Sequence, residues 1–329
     1  MKSNNKKGMT RRSLLAVALC SLLTLHPAVA QPESGTVTVV VPYPPGGGTD
    51  LIARVLGQAL AAKWQRNVII DNRPGAAGYL GTEHVARSKG DGTTLLLTDS
   101  TPIVIAPHLP TAKHKLNPLA DLAPVALVAR QTPVIVVNKG VPSKNIEEFI
   151  DFVKRNPGLP YGSIGSGSSF HIAMEQFQKL AGISMLHVPY KGTGPLLSDL
   201  VGGHVKAAMI TLPSVNDFDR SGKLRILGVA GQGPAKGRHD LPVIGDSILP
   251  GFQVPLWFGL FAPSTTPTAI LEKLHADVAQ VLADPSFAQD ALNAQFLTAG
   301  KESRVQFSEI LKADDNRWAD LIKSLNIQE

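Results

Sequence analysis

Three consecutive glycines at residues 46–48 lie between two stretches of different pattern, and together with their neighbours they could bind an anion. Before them, residues 37–41 are entirely β-branched, as in a strand that is buried on both faces. After them, apolar residues recur at helical spacing from Leu51 to Trp64. Glycines allow a tight turn and leave backbone N–H groups uncovered, and a helix N-terminus carries a partial positive charge. The pattern therefore predicts an anion site between a strand and a helix.

Thr49 and Asp50 follow the glycines and complete the sequence YPPGGGTD, which starts at Tyr43. Either side chain suits the N-cap of the predicted helix, because its oxygen can accept a backbone N–H of the first turn. Capping could be the whole role of these two residues, and direct contact with a ligand is the alternative. The sequence pattern leaves both interpretations open.

Two nucleotide-binding motifs also place glycines after a strand. A dinucleotide fingerprint needs a third glycine where this chain has Leu51, although Asp71 ends the next strand about where a ribose-binding acid would lie. A P-loop needs Gly-Lys-Ser/Thr, and no such tripeptide follows the glycines. Neither motif is complete, so the sequence gives weak support to a nucleotide cofactor.

Four later junctions show a similar arrangement, in which small, hydroxyl or Pro/Gly residues directly follow an apolar run. They lie at residues 99–102, 165–169, 192–195 and 211–213. Because the carboxyl ends of parallel strands share one edge of a sheet, we expect their free N–H groups to converge where two lobes meet. A site built in this way would suit a carboxylate.

A sheet is needed to place these junctions at one edge. From residue 36 onward, short apolar runs alternate with helical patterns, which predicts βα units on a mostly parallel sheet. The expected strands are residues 37–41, 68–71, 94–98, 160–163, 185–188, 205–210, 224–230 and 256–261. Expected helix starts are Thr101 as a cap with Pro102 next, Ser143 as a cap, Pro195, and positions near Pro267, Pro285 and Ser303.

Residues 125–137 form a long apolar stretch that is interrupted at residues 130–133, and we interpret the interruption as a crossing between lobes. The strand at residues 224–230 is expected to carry the chain back. Without residues 1–30, which have the features of an export signal, 329 − 30 = 299 residues remain, and this length exceeds the usual size of one core and favours two lobes. The predicted division is lobe 1 at residues 31–131 and 255–329, and lobe 2 at residues 132–254. The fold class is therefore a two-lobed α/β protein with a ligand cleft between its lobes.

Residues 1–30 have the features of a cleaved export signal. Basic residues come first, an apolar run too short to span a bilayer comfortably follows at residues 14–25, and Ala28-Val29-Ala30 is a small-residue cleavage pattern. Cleavage before Gln31 and a periplasmic product are expected. The sequence TRRSLL at residues 10–15 also fits a twin-arginine signal loosely, so the export route stays open.

Removal of this segment changes what the composition implies. Five basic residues and no acidic residue lie in it, so a formal net charge of +6 falls to +1 in the mature chain. Nucleic-acid binding then loses its main support. The single cysteine, Cys20, is removed as well, which excludes disulfide and thiol chemistry. No later apolar run approaches about 18 residues, so we expect a product that is not embedded in a membrane.

The chain resembles the solute-binding proteins of tripartite tricarboxylate transporters, also called the Bug family of periplasmic receptors. The matching motifs occur in order through nearly the whole mature chain. They are VPYPPGGGTD at residues 41–50, NRPGA at 72–76, Asp91-Gly92, YGS at 161–163, HVPYKG at 187–192 and GLFAP at 259–263.

The resemblance implies a two-lobed protein that closes on a small carboxylated solute and delivers it to the membrane subunits of such a transporter. It also implies that the first strand-helix loop and a Ser/Gly loop of the second lobe hold carboxylates. The residues that the resemblance implies are Tyr43, Gly46, Gly47, Thr49 and Asp50 on one lobe, and Ser163, Gly165, Ser166, Ser168 and Ser169 on the other. The predicted ligand-binding set also includes Lys191 of the HVPYKG motif and, from the cleft loops, Pro45, Asp99, Ser100 and Thr211. Lys191 could equally be a solvated lysine beside the cleft, and Arg73 is expected to pin its own loop. No cofactor is implied, and a monomer is expected.

Two positions depart from the pattern that the resemblance implies. Thr211 is the only polar side chain in the fourth cleft loop before Pro213, where an acidic or amide residue is common. Asp99 occupies a place where the family commonly has a small or hydroxyl residue. It could cap the following helix, or it could select a ligand that carries an ammonium group in addition to a carboxylate. These departures leave the identity of the ligand open.

A serine hydrolase is the enzyme alternative, because Ser166, Ser168 and His171 are close in sequence and Asp99 could be near in space. However, no Gly-x-Ser-x-Gly elbow occurs, and a serine at a helix start caps more naturally than it attacks. His171 is expected to pack at a helix start near the cleft. The other histidines show no paired metal spacing, so no metal site is predicted. A ligand-sensing subunit that signals to a membrane kinase remains a second alternative.

Overall fold

A computed structural model describes residues 35–110 and 116–325 of the chain. The predicted export signal at residues 1–30 lies outside the described residues. Within them, two β-sheets are flanked by helices, and the two-lobed α/β prediction is confirmed. The division into lobes at particular residues stays a prediction.

The strands are numbered in chain order. They are β1 (Val37–Val41), β2 (Val68–Asn72), β3 (Thr94–Asp99), β4 (Leu122–Arg130), β5 (Pro133–Asn138), β6 (Leu159–Ser163), β7 (Met185–Pro189), β8 (Ala207–Thr211), β9 (Leu224–Val229), β10 (Trp257–Pro263) and β11 (Thr298–Ala299). The bounds of the expected strands differ from these by at most two residues.

The α-helical elements are numbered in the same way. They are α1 (Gly48–Trp64), α2 (Tyr79–Ala86), α3 (Pro118–Asp121), α4 (Ile146–Arg155), α5 (Ser169–Ala181), α6 (Thr193–Gly202), α7 (Leu212–Arg220), α8 (Ile244–Ser247), α9 (Thr268–Ala283), α10 (Pro285–Phe287) and α11 (Arg304–Leu325). Short 3₁₀ or π turns lie at residues 76–78, 101–108 and 288–295.

The first sheet has the strand order β11-β4-β10-β3-β1-β2. β1 pairs in parallel with β2 and β3, whereas β10 is antiparallel to β3 and β4. The strands β1 to β4 therefore run in one direction, and their carboxyl ends lie at one edge. Phe258 pairs with Asp99, so the start of β10 lies at that edge too.

The second sheet has the strand order β7-β6-β8-β5-β9. β6 is parallel to β7 and β8, and β5 runs antiparallel between β8 and β9. The expectation that β9 carries the chain back is wrong, because β9 pairs with β5 and stays in this sheet. Residues 230–256, which include α8, make the return instead.

Two segments cross between the sheets side by side. Gln131 N donates to Leu256 O at 2.9 Å, and Val254 N donates to Ala230 O at 2.8 Å. The outgoing segment joins the carboxyl end of β4 to Pro133, which pairs with Thr211 at the carboxyl end of β8. The crossing therefore starts at the sheet edge that carries the carboxyl ends of β1 to β4, and it reaches the second sheet at the edge that carries the carboxyl ends of β6 to β8.

The largest apolar cluster includes side chains from both sheets and from α11. Phe307, Leu311 and Trp318 of α11 are buried in it, together with Phe177 of α5 and Trp257 of β10. Burial of such large side chains stabilises the fold by about 1.5–3 kcal/mol each. The packing of α11 therefore holds elements of the two sheets together near the crossing.

Three expected helix starts are displaced. Ser143 is not the cap of α4, because Asn145 caps it and accepts the N–H of Glu148 through its side chain at 2.8 Å. α6 begins at Thr193 and not at Pro195, since Gly192 adopts φ +103° and reverses the chain two residues earlier. The helical turn after β3 starts at Thr101 with Ser100 as its N-cap, one residue before the predicted cap.

Candidate functional site

The glycine loop after β1 leads directly into α1. Gly47 is the N-cap, with extended backbone angles of φ −80° and ψ 168°, and it makes no side-chain capping bond. The prediction that Thr49 or Asp50 caps the helix is therefore wrong. Both lie within the first turn, because the glycines allow the helix to begin at Gly48. Only Gly46 has a positive φ, +88°, which favours glycine there.

Asp50 fastens this loop through its buried carboxylate. Its oxygens accept the N–H of Gly46, two N–H groups of Arg54 and the side-chain amide of Asn72, each at 2.9 Å. Burial alone would raise the pKa of Asp50, but these donors together lower it below its usual value. With four donors in place, Asp50 supports the loop from behind, and its carboxylate is 2% exposed.

The backbone N–H groups at the start of α1 remain open to a ligand. The first intrahelical bond runs from Leu51 N to Gly47 O at 2.9 Å, and the first N–H groups of a helix have no intrahelical acceptor. Gly47 and Gly48 are exposed. The first turn of α1 can therefore offer N–H groups to an anion, with the partial positive charge of the helix behind them.

Tyr43 and Asp99 link the loops that follow β1 and β3. The Tyr43 hydroxyl donates to Asp99 Oδ1 at 2.9 Å, and Thr101 N donates to the same oxygen at 2.8 Å. Burial raises the pKa of Asp99 despite these bonds, and burial followed by the charge of Asp99 raises the pKa of Tyr43. Beside them, Ser100 Oγ is buried and has no hydrogen-bond partner among the residues that the structure describes.

The Ser/Gly loop joins β6 to α5. Ser168 is the N-cap of α5, and its hydroxyl accepts the N–H of His171 at 3.3 Å. The capping role predicted for Ser168 is confirmed. Ser166 is exposed, whereas Ser169 is buried in the first turn. The start of α5 therefore resembles the start of α1, with open N–H groups after a strand end.

Ser163 does not point its hydroxyl toward open space. The hydroxyl donates to Gly165 O at 2.9 Å and lies 2.8 Å from His187 Nε2, and Gly165 N donates back to it at 3.2 Å. Ser163 is buried, so its side chain shapes the turn at Gly165. His187 belongs to the HVPYKG motif, but the sequence pattern did not identify it as a residue of the site.

The two remaining predicted residues lie on neighbouring loops. Tyr190 N donates to Ser163 O at 3.0 Å, which brings the loop of Lys191 beside the Ser/Gly loop. Lys191 is exposed, and no acceptor binds its ammonium group among the described residues. Thr211 ends β8, and its hydroxyl lies 3.1 Å from Ser214 Oγ.

The predicted residues thus form two groups, one on the loops of each sheet. Hydrogen bonds connect Tyr43 with Asp99, and Gly46 with Asp50, in the first group. Within residues 35–110 and 116–325, no hydrogen bond joins the first group directly to the second. The crossing segments connect the two sheets that carry these groups.

The hydrolase alternative does not fit these contacts. His171 Nδ1 accepts the N–H of Gly167 at 3.1 Å, and Ser168 is engaged with the backbone of His171. Asp99 binds Tyr43 and Thr101 and no histidine among the described contacts. A catalytic triad needs a nucleophile, a base and an orienting acid in one hydrogen-bonded chain, which these residues do not form.

Neither a metal centre nor a membrane span is found in the part of the chain that the structure describes. No group of three or more His, Cys, Asp or Glu side chains is arranged to hold a metal ion there. No helix of this part combines the length and the apolar character that a membrane span requires.

Relatives of known sequence match the chain over most of its length. A protein encoded in the tcbD-tcbE intergenic region of a Pseudomonas species is 32% identical over 318 residues, which cover 95% of this chain and 93% of that protein. Protein BugT of Bordetella pertussis is 32% identical over 290 residues, covering 87% of this chain and 88% of that protein.

Solved structures agree with the fold. An R. palustris protein solved with adipate is 30% identical, covers 90% of this chain and 98% of its own, and superposes with a TM-score of 0.81. MatC from Rhodopseudomonas palustris with bound malate is 30% identical, covers 88% of this chain and 99% of its own, and gives a TM-score of 0.76. The family model described as "Tripartite tricarboxylate transporter family receptor" matches residues 52–327. The chain therefore belongs to the receptor family of tripartite tricarboxylate transporters.

Proposed function

We propose that the chain is a periplasmic receptor that binds a small carboxylated solute between the two groups of loops and delivers it to the membrane subunits of a tripartite transporter. The family supports the receptor role, and the structures solved with adipate and malate support a carboxylate as the ligand. The receptor role also separates this chain from enzymes, because the family consists of transport receptors.

One structural observation supports a carboxylate as the ligand. The N-termini of α1 and α5 each follow a strand end, and both strand ends lie at the sheet edges between which the crossing segments run. Two helix N-termini that approach one cleft from opposite sides are suited to the two ends of a dicarboxylate, because each offers N–H groups and partial positive charge.

The predicted site residues take different roles under this proposal. Gly47 and Thr49 on one side, and Ser166 and Ser169 on the other, offer backbone N–H groups or hydroxyls to the ligand. Asp50 and Ser163, in contrast, hold the loops in place. The remaining members complete the rim of the cleft, and they are Tyr43, Pro45, Gly46, Asp99, Ser100, Gly165, Ser168, Lys191 and Thr211.

Thermal unfolding with a panel of solutes tests the ligand class. Adipate, malate, a tricarboxylate and an amino acid would be added at increasing concentration to the purified mature chain. A ligand at about 100 times its dissociation constant should stabilise the folded protein by about 2.7 kcal/mol and raise the melting midpoint by several degrees. An uncharged diamide of the same length as the hit is the matched control. Absence of any shift, with no compaction in X-ray scattering, would contradict the proposal.

Export and partners need separate experiments. N-terminal sequencing of the periplasmic product should find Gln31, and retention of Met1 there would contradict the predicted signal at residues 1–30. Light scattering of the mature chain should give the mass of a monomer. Pull-down of the ligand-bound protein should recover transporter membrane subunits, whereas recovery of a sensor kinase in their place would favour the signalling alternative.

A further inference from the structure

Two imidazole rings are stacked behind the Ser/Gly loop, and the proposed function does not use them. The ring centroids of His171 and His187 lie 3.8 Å apart, with an angle of 11° between the planes. The ring of Tyr161 lies 5.1 Å from that of His187. His171 belongs to the first turn of α5, which follows the loop, and His187 belongs to β7, which pairs with β6, so the pair connects the helix after the loop to the strand beside it.

The hydrogen bond to His171 defines its protonation. Gly167 N–H points at His171 Nδ1 with a separation of 3.1 Å, and both atoms are buried. A backbone N–H can only donate, so Nδ1 must be the unprotonated acceptor. His171 is therefore neutral, with its hydrogen on Nε2.

The contacts of Ser163 define the tautomer of His187. The single hydroxyl hydrogen of Ser163 is directed at Gly165 O, 2.9 Å away. His187 Nε2, 2.8 Å from the same hydroxyl oxygen, must then be the donor. In this arrangement Gly165 O has a donor, Ser163 Oγ accepts from His187, and the turn at Gly165 is closed.

The groups around the pair favour neutral rings. Burial lowers the pKa of His171, and burial followed by the neighbouring His171 lowers the pKa of His187 to about 4. Glu175 is the acidic group that faces His187, and it acts in the opposite direction. Its carboxylate is already bound by the Tyr161 hydroxyl at 2.5 Å and by Gln178 Nε2 at 2.8 Å.

We propose that His171 and His187 are positioning residues that hold the loop of residues 163–167 in its ligand-binding shape as a neutral stacked pair, and that acid weakens ligand binding by protonating His171. The proposal rests on the proposed function, because it assigns a regulator to the same cleft. A proton added to His171 would occupy Nδ1, where it faces the Gly167 N–H. The hydrogen bond would then be replaced by a contact between two donors, and the loop would lose one of its anchors.

Nuclear magnetic resonance tests the positioning role without any ligand. Long-range nitrogen-proton spectra of the imidazoles at pH 7.5 should show both rings as neutral Nε2–H tautomers. The amide of Gly167 should exchange slowly at pH 7.5 and faster in the variant His171→Leu. A His171 ring with its hydrogen on Nδ1, or equal exchange in both proteins, would overturn the positioning role.

Binding of adipate, measured by calorimetry from pH 7.5 to pH 4.5, tests the effect of acid. Adipate itself takes up protons over this range, because carboxyl groups titrate near about pH 4–5, so affinities are expressed for the adipate dianion. On this scale the wild-type affinity should fall as the pH decreases. The variant His171→Asn keeps an oxygen acceptor near the position of Nδ1 and cannot be protonated, so its affinity should change little over this range. The variant His171→Leu has no acceptor, and its affinity should be lower than that of His171→Asn by about tenfold or more at every pH.

Two controls make the result specific. His239→Asn removes an exposed histidine that is distant in sequence and should retain the pH dependence of the wild type. His187→Gln keeps an amide donor near the position of Nε2, and it should bind more tightly than His187→Phe, which keeps only a ring.

The outcomes separate this proposal from the proposed function. If His171→Leu binds adipate as the wild type does, or if His171→Asn keeps the full pH dependence, the inference is overturned while the receptor function stands. If no solute of the panel binds the wild type, the ligand class is overturned, and the tautomers and the exchange of Gly167 still decide the positioning role.

Discussion

The Tyr43 hydroxyl donates a hydrogen bond of 2.9 Å to Asp99 Oδ1, although the two residues are 56 positions apart in the chain. Thr101 N donates to the same oxygen, so Asp99 ties the glycine loop after β1 to the turn after β3. Asp99 therefore has a structural role at the edge of the cleft. Whether it also contacts a ligand is a separate question, and substitution of this residue can answer both.

Asp99→Asn should make the protein more stable at pH 7. The pKa of Asp99 is raised by burial, so the folded state holds a proton more readily than the unfolded state, and stability falls as the pH rises above about 3.9. Asparagine keeps an oxygen that accepts from Tyr43 and Thr101, but it does not place a negative charge in this buried position at pH 7. Chemical denaturation at pH 7 and pH 3.5 should show a gain that is present at pH 7 and absent at pH 3.5. If the variant and the wild type differed in stability by the same amount at both pH values, a raised pKa of Asp99 in the folded protein would be contradicted.

The same substitution should change the ligand preference if Asp99 faces the ligand. A carboxylate near an incompletely solvated site interacts with an ammonium group by about 4 kcal/mol at roughly 4 Å and an effective dielectric of about 20. Asp99→Asn should then weaken an amino acid by about tenfold or more and favour a plain dicarboxylate. Calorimetry with both classes measures this ratio. An unchanged ratio would leave Asp99 with its structural role alone.

Gly47→Val should abolish binding while the protein stays folded. The backbone of Gly47 has φ −80°, which valine tolerates, and an added Cβ would meet only Pro44 O at 4.0 Å. The branched side chain would cover the N–H groups of the first turn of α1. Loss of one charge-assisted bond of about 1.5–3 kcal/mol predicts binding at least about tenfold weaker, and loss of two predicts a decrease of more than about a hundredfold.

Gly46→Ala is the matched comparison for Gly47→Val. Nothing lies within 4 Å of a Cβ at Gly46, but its φ of +88° strains any L-residue. We expect a stability loss of about 1–2 kcal/mol. Thermal unfolding and calorimetry on both variants should therefore separate strain from blocked access. If a folded Gly47→Val protein bound the ligand with normal affinity, the glycine loop would not be part of the ligand site.

Asp50→Ala should destabilise the fold by about 1–3 kcal/mol at pH 7, because Gly46, Arg54 and Asn72 lose their acceptor. The pKa of Asp50 is lowered in the folded state, so its contribution is present above about pH 3.9 and is lost as the pH falls through the folded value. Urea denaturation at pH 7 and pH 3 measures the change.

Asp71→Ala is the control for Asp50→Ala. Asp71 forms an ion pair of 2.6 Å with Arg73, and both side chains are substantially exposed. Such surface pairs contribute about 0–1 kcal/mol, so this variant should change stability little. A larger loss for Asp71→Ala than for Asp50→Ala would contradict the view that Asp50 is the residue that fastens the loop.

Local sequence patterns predicted the strands, the glycine loop and the Ser168 cap, because each depends on residues close together in the chain. The same patterns misplaced the cap of α1, since a run of glycines permits the helix to start at any of several positions. They could not show that Asn72 binds Asp50, or that Tyr43 binds Asp99, because those contacts join elements that are far apart in the chain. The stacking of His171 on His187 could not be predicted from the sequence either, because it depends on how β6, β7 and α5 are arranged in space.

Ala230 N donates to Pro133 O at 2.8 Å, next to the two crossing segments. The part of the chain that forms the second sheet therefore begins and ends at neighbouring positions, as an inserted module does. Exchange of residues 133–230 between two relatives would disturb these adjacent junctions, the surface that packs against α11, and the contacts that residues 231–254 make with the second sheet, such as the ion pair of Arg238 with Asp219. One half of the cleft can thus be inherited or replaced as a unit, so recombination offers this architecture a route to new ligand preferences that does not alter the other half.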